Sequence, residues 1–331
     1  MMKSFKIMFF SFLIMGIIIA TSSYSWFSMW MGLEMNLLSA IPLFLDPKNM
    51  MSTEASMKYF ISQTVASMTI MFSMSTMMMK ENSITSSSMS SILNSMLMLK
   101  MGAAPLHFWF PEVMEGLMWQ NCLIMMTLQK ISPMMIIMFN KPSNMIMLSF
   151  IFSSMMVSSI MSFNQTSMRK ILSYSSINHI SWMLTSTMNS FSSWIMYFTI
   201  YSIMSINITI ILKMSSTLSV NQTLSMDKKT HMMLSINFLS MSGLPPFTGF
   251  LPKWIILNKM SLNQMYFTSM ALIMSSLVLT FVYLRTFFPL MMMNQSKKKP
   301  MKSKKFYIKT SIFTIIMNLL LPSTTILINL N

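Results

Sequence analysis

Three lysines and one glutamate interrupt runs of sequence that are otherwise apolar enough to cross a membrane. Lys100 follows SILNSMLML, Lys130 separates CLIMMTLQ from ISPMMIIMF, Lys253 lies between GFLP and WIIL, and Glu34 sits within SMWMGLEMNLLSAI. A charge at the centre of a transmembrane helix costs about 2.5–3.5 kcal/mol on the insertion scale, so the four together burden the fold by something on the order of 10 kcal/mol before any pairing. Residues of this type at these places suit the movement of protons or ions. Burial penalises an ammonium and a nearby carboxylate stabilises it, so a buried lysine can take up or release a proton as its partner changes. Glu34 is the natural modulator and Lys100 its expected partner. Three lysines set against one glutamate leave cations over, which simple static pairing does not explain.

Depth supports the same reading. At 1.5 Å of rise per residue, and counted from the less basic side, Glu34 lies about 12 Å deep, Lys100 about 18 Å and Lys130 about 14 Å. In a hydrocarbon core of about 30 Å these positions are near the midplane, too deep for a side chain to snorkel fully to an interface. Lys253 follows an interruption in its span, so its depth does not follow from the same count. Charges from four helices at one level are expected to form a polar line in the membrane plane. His107 in PLHFW and His179 in SSINHISW are further titratable candidates, equally readable as hydrogen-bonded structural histidines. Glu112 and Glu115 are expected near the membrane surface.

The elements that must position these groups are helices. Apolar runs of about 17–25 residues predict about eleven transmembrane helices, over 5–21, 26–45, 57–79, 88–106, 120–139, 144–163, 170–190, 193–213, 231–258, 265–289 and 306–328. The ninth contains SGLPPFTGF, whose Gly243, Pro245, Pro246 and Gly249 cannot continue a regular helix, so it is predicted to be discontinuous. HFWFPEVMEG at 107–116 is the second predicted break. Breaks beside Lys100 and Lys253 would free backbone carbonyls and admit water. The expected fold is therefore all-α, a polytopic membrane helix bundle, with residues 1–331 forming a single transmembrane domain.

Composition narrows the class. The chain has 331 residues, 53% of them hydrophobic and only 9% charged, with a mean hydropathy of +0.58. A soluble domain is nearer a quarter charged. The net charge of +16 does not imply nucleic-acid binding, because the lysines cluster in loops between apolar runs. With eleven spans, Lys80, Lys141 and Lys259 fall on one side and the remaining sixteen loop cations on the other, as the positive-inside rule requires. The run KKKPMKSKK at 297–305 reads as a topology signal and as a contact for lipid headgroups, cardiolipin among them.

One cysteine, Cys122, excludes an internal disulfide framework and a cysteine-ligated iron–sulfur cluster. No glycine-rich nucleotide motif and no paired histidines suited to haem occur, and no metal or cofactor is expected in this chain. Methionine numbers 51 while Gly numbers 6. Residues with AT-rich codons abound, and Met joins them only where ATA encodes Met, as in animal mitochondrial codes. That points to an organelle-encoded chain, for which no cleavable leader is expected.

Five segments, GLEMNLLS at 32–39, KMGAAPLHFWFPEVMEG at 100–116, LQKISP at 128–133, RKILSYSSINHISW at 169–182 and SGLPPFTGFLPKW at 242–254, closely resemble the antiporter-like membrane subunits of respiratory complex I from animal mitochondria. The resemblance covers essentially the whole chain. It implies inverted repeats with broken helices, with Glu34, Lys100, Lys130 and Lys253 matching the family's central relay. It implies electron transfer from NADH to ubiquinone through FMN and iron–sulfur clusters held elsewhere in the complex, coupled here to proton translocation. Other membrane-arm subunits would be the partners and the mitochondrial inner membrane the location, with the N-terminus in the matrix and the C-terminus in the intermembrane space. The same lysines would also serve a subunit of a cation/proton antiporter. A third reading, a scaffold anchoring a membrane arm, predicts that the buried charges tolerate neutral substitution.

Overall fold

A computed structural model describes residues 2–46, 49–79, 83–140, 142–223 and 226–292 of the chain. They form helices α1 (Met2–Ser22), α2 (Trp26–Phe44), α3 (Met50–Met79), α4 (Ser83–Met101), α5 (Trp109–Gly116), α6 (Trp119–Met126), α7 (Leu128–Asn140), α8 (Asn144–Ser162), α9 (Met168–Asn189), α10 (Phe191–Ser215), α11 (Val220–Thr223), α12 (Lys228–Ser242), α13 (Phe250–Leu262) and α14 (Tyr266–Met292). Among the described residues the one β contact is an isolated bridge between Ser167 and Ser219. Ten of the eleven expected spans are present as helices or helix pairs. The eleventh, 306–328, and the basic run at 297–305 lie outside the described residues.

Among the described residues, five helical stretches are long and apolar enough to cross a membrane by themselves: Ser4–Ser22, Trp119–Asn140, Asn144–Ser162, Phe191–Ser215 and Tyr266–Thr286. Glu34, Lys100 and Lys253 lie on other helices, α2, α4 and α13. The chain divides into two compact units, Met1–Ser154 and Met155–Asn331.

In the first unit α1 packs closely on α2 because small residues meet at the crossing. A Cβ placed on Gly32 would lie 2.5 Å from the backbone nitrogen of Ala20, and one on Gly16 would lie 2.9 Å from that of Asn36. Pairs of small residues four apart let helices approach to backbone contact, and this fixes α2, with Glu34 and Asn36, in place. With 30 residues, α3 is about 45 Å long and exceeds the hydrocarbon thickness. Its first turns reach the exposed cluster in which Lys58 bridges Glu54 and Glu112, each at 2.9 Å. Glu112 is thus exposed and ion-paired.

Two features differ from the sequence reading. The first break lies at 102–108, not at 107–116: residues 109–116 are helical, as α5. Pro111 occupies the first turn of α5, where its missing N–H costs nothing. The expected span 120–139 is also two helices, divided at Thr127, which has φ −113° and ψ −76°. The Thr127 hydroxyl donates to the Leu123 carbonyl at 2.8 Å, a back-bond of the kind that bends helices.

In the second unit α9 is the buried centre. From Ile171 to Ser186 every residue except Tyr174 is buried, although eight of these are Ser, Thr, Asn or His. Such a helix has no solvent or lipid face, and its serines bond back to carbonyls three residues earlier. The predicted interruption of the ninth span is present: α12 ends at Ser242 and α13 begins at Phe250. Arg285 of α14 holds the end of α8, donating to the carbonyls of Phe163 at 2.7 Å and Gln165 at 2.6 Å.

Candidate functional site

Each unit contains a helix break built on the same local pattern. In the first, Gly102 has φ +77°, and its N–H donates to the Leu99 carbonyl at 2.9 Å while that of Ala103 donates to Met98 at 3.0 Å. In the second, Gly243 has φ +79°, with the N–H of Gly243 donating to Ser240 at 3.0 Å and that of Leu244 to Leu239 at 3.5 Å. Both are Schellman caps, which need a residue that tolerates the left-handed region. Proline follows each glycine after three residues, at Pro105 and Pro246, and again after nine, at Pro111 and Pro252. The tenth position carries Glu112 in the first break and Lys253 in the second. One frame thus presents opposite charges: Glu112 pairs at the exposed edge and Lys253 turns inward.

A helix end leaves carbonyls without intrahelical donors, and its dipole favours a cation there. Lys100 stands in the last turn of α4. Lys253, 7% exposed, reaches back to the end of α12, where its ammonium donates to the carbonyls of Ser242 at 2.7 Å and Met241 at 3.3 Å. The Lys253 ammonium also lies 5.5 Å from the centre of the Trp182 ring, within reach of a cation–π attraction. The expectation that these breaks leave their carbonyls to water is therefore corrected in part. Trp109 donates to Leu99 at 3.1 Å, Gln63 to Lys100 at 3.5 Å and Ser153 to Ala104 at 2.6 Å.

Lys100 is 6% exposed and Lys130 1%. Glu34 is partly buried, and one of its oxygens accepts from the Ser67 hydroxyl at 3.0 Å. The Glu34 carboxylate is near enough to act electrostatically on Lys100. The ion pairs of Lys58 involve neither residue, and Glu34 and Lys100 form no salt bridge with each other, so the pairing expected of them is not a direct contact. Lys130, one turn after the Thr127 bend, sits 5.7 Å from the centre of the Phe110 ring. His107 is buried and lies 3.3 Å from the Pro105 carbonyl. His179 shares a 2.8 Å hydrogen bond with the Tyr197 hydroxyl.

Several polar residues missed by the sequence reading surround Lys100. A small cavity is lined by Lys100, Gln63, Gln129, Asn36, Ser132 and Tyr59 along with Leu33, Leu37 and Pro133. Its volume open to a water's centre is ≈ 10 Å³, room for about one molecule among several polar partners. Tyr59 donates to Gln129 at 3.1 Å, and Gln129 donates to Asn36 at 3.1 Å. This clasp ties α2, α3 and α7 together around the lysine. Asn36 and Gln129 were visible within GLEMN and LQK as amides in apolar runs. Such amides, like charges, call for a buried partner.

Among the described residues, no group of three His, Cys, Asp or Glu side chains could hold a metal ion. The arrangement supplies buried lysines, carbonyl dipoles and hydroxyl and amide donors, all means of holding and passing a proton.

An all-α membrane bundle with buried lysines at two capped helix breaks defines the class of antiporter-like membrane subunits. Residues 23–280 match the family model described as NADH:quinone oxidoreductase/Mrp antiporter, TM. Over 314 residues the chain is 41% identical to NADH-ubiquinone oxidoreductase chain 2 of Anopheles gambiae, covering 92% of each, and it is 39% identical over 311 residues to the same protein of Locusta migratoria, covering 92% of this chain and 90% of that one. The chain belongs to this family, and among its members resembles the insect chain 2 proteins. It is also similar to a chain in the structure of respiratory complex I from Thermus thermophilus with bound aureothin, with a TM-score of 0.81 at 18% identity, covering 93% of this chain and 76% of that one. At that identity the likeness concerns the fold.

Proposed function

We propose that this chain is a core membrane subunit of NADH:ubiquinone oxidoreductase, complex I, in the mitochondrial inner membrane, and that it carries the coupled translocation of protons. The relatives' name and the family match support membership of the complex. The observation that carries proton movement is that Lys100 and Lys253 are both buried at helix breaks and that neither has a carboxylate within 4.0 Å among the described residues.

In this reading Glu34, Lys100, Lys130 and Lys253 form the relay, and the chain works as one membrane domain. Lys253 holds its proton against the carbonyls of Ser242 and Met241, where the dipole of α12 stabilises the cation. Lys100 holds its proton at the end of α4 and senses Glu34 without contact. A charge change at Glu34 then alters the balance at Lys100, and water in the adjoining cavity bridges the gap. Electrons move elsewhere, through NADH, FMN, iron–sulfur clusters and ubiquinone in other subunits. Those membrane-arm subunits and lipid headgroups are the partners, with the basic side and the N-terminus facing the matrix.

The test uses the intact complex in proteoliposomes, scoring protons translocated per NADH oxidised. Lys253→Met is expected to assemble yet lose most translocation, and normal translocation would overturn the assignment. A cation/proton antiporter subunit is the second reading, favoured by the inclusion of Mrp antiporters in the matched family. A native gel separates the two: migration in a very large assembly with NADH dehydrogenase activity supports complex I.

A further inference from the structure

His231 stands in the first turn of α12, beside the exposed Lys229, and is 0% exposed. Neither of its ring nitrogens has a hydrogen-bond partner. A fully buried imidazole with both nitrogens open is costly, and such groups in native structures call for a water, an ion or a catalytic role. Its position supplies a direction. Helical geometry puts Ser235 and Ser242, four and eleven residues on, along the same face of α12. Both are buried, at 2% and 5% exposed. α10 and α14 pack against α12, and the face ends at the Ser242 carbonyl that accepts the Lys253 ammonium. From His231 to Ser242 the rise is about 16 Å, a distance that hydroxyls and intervening waters can span.

We infer that His231 is the loading residue of a proton inlet that runs along this face of α12, from the basic end of the helix to Lys253. One ring nitrogen takes a proton from the aqueous side while the other releases one toward Ser235, so the ring returns to neutrality by tautomer exchange and no charge stays buried. The role rests on the reading of Lys253 as a relay lysine.

Two measurements on the intact complex test it. In the first, Cys replaces His231, Ser235 or, as a buried control, Leu234, and a small hydrophilic thiol reagent is added from the basic side. Peptide mass spectrometry is expected to find label at 231 and 235 and none at 234. Absence of label at both 231 and 235 overturns the inlet. In the second, His231→Phe and His231→Gln are reconstituted beside Lys253→Met. Both His231 variants are expected to lower proton translocation at least about tenfold, because neither side chain can titrate. Full translocation with His231→Gln would mean that hydrogen bonding alone is needed, and overturns the inference. If Lys253→Met stops translocation while both His231 variants pump normally, the inlet fails and the relay stands. If Lys253→Met pumps normally, the relay reading fails and the inlet with it.

Discussion

The Lys253 ammonium is bound not by a carboxylate but by the main chain of Ser242, whose carbonyl accepts it at 2.7 Å. The donor and acceptor lie eleven residues apart, on opposite sides of the break. The interruption therefore does two things at once: it exposes the carbonyl and returns the chain so that Lys253 can reach it. Gly243 completes the arrangement, since a Cβ there would lie 2.8 Å from Lys253 Cδ and 3.1 Å from its Nζ.

That proximity separates two otherwise similar glycines. Gly102→Ala and Gly243→Ala each force an L residue toward the left-handed region, at a cost of about 1–2 kcal/mol. The Gly102 substitution presses on Phe110, whereas the Gly243 substitution displaces the Lys253 ammonium. Similar losses of assembled complex are expected from both, with the larger loss of protons per NADH in Gly243→Ala. Equal translocation in the two assembled variants would show that the Lys253 seat does not matter.

Glu34 and Lys100 are expected to be energetically coupled despite lacking a salt bridge. Glu34→Gln and Lys100→Met should each slow coupled turnover, and the double variant should depart from additivity by about 0.5–3 kcal/mol in activation free energy. Ser67→Ala removes one hydrogen bond to Glu34 and should cost about 1 kcal/mol, roughly a fivefold effect. Strict additivity in the cycle, with assembly intact, would sever the two residues.

Lys130 distinguishes relay from scaffold. A scaffold needs only bulk beside Phe110, so Lys130→Met would be harmless or stabilising, because it removes a buried charge. A relay needs a group that titrates, and His can supply one. Normal assembly, impaired turnover in Lys130→Met and an intermediate value in Lys130→His are expected. Wild-type proton translocation in assembled Lys130→Met would remove this residue from the relay.

The α1–α2 crossing should behave as a purely structural site. Gly32→Leu inserts a side chain where even a Cβ meets the Ala20 backbone at 2.5 Å, so the helices must separate. Overpacking of this kind costs about 1–3 kcal/mol or more, and a reduced amount of complex on a native gel is the expected readout. Turnover per assembled complex should change little; a selective loss of pumping at full assembly would contradict a packing role.

The candidate residues could be picked out from the sequence alone because a membrane makes local composition decisive. Any charge in an apolar run is penalised wherever it occurs, so Lys100, Lys130, Lys253 and Glu34 stand out without knowledge of their neighbours. Gly243 and the following prolines cannot continue a helix, so the interruption at SGLPPFTGF was equally plain. The first break was misplaced because Pro111 stops a helix from one direction only: at the first turn it starts one instead, as it does in α5. The bend at Thr127 depends on a single hydroxyl turning back on its own helix, which hydropathy does not register.

Tertiary structure alone decided which partner each polar group found. Gln129 meets Asn36 across 93 positions of sequence and Tyr59 across 70. The open nitrogens of His231 follow from the burial of α12 against α10 and α14, and the Lys253 seat follows from the path of the chain through its break. Hydropathy and helix-breaking chemistry are properties of neighbouring residues and are written into the order of the chain. Hydrogen-bond partnership depends on which helix faces meet, and that is settled only when the small residues at crossings such as Gly32 and Ala20 let particular helices come together.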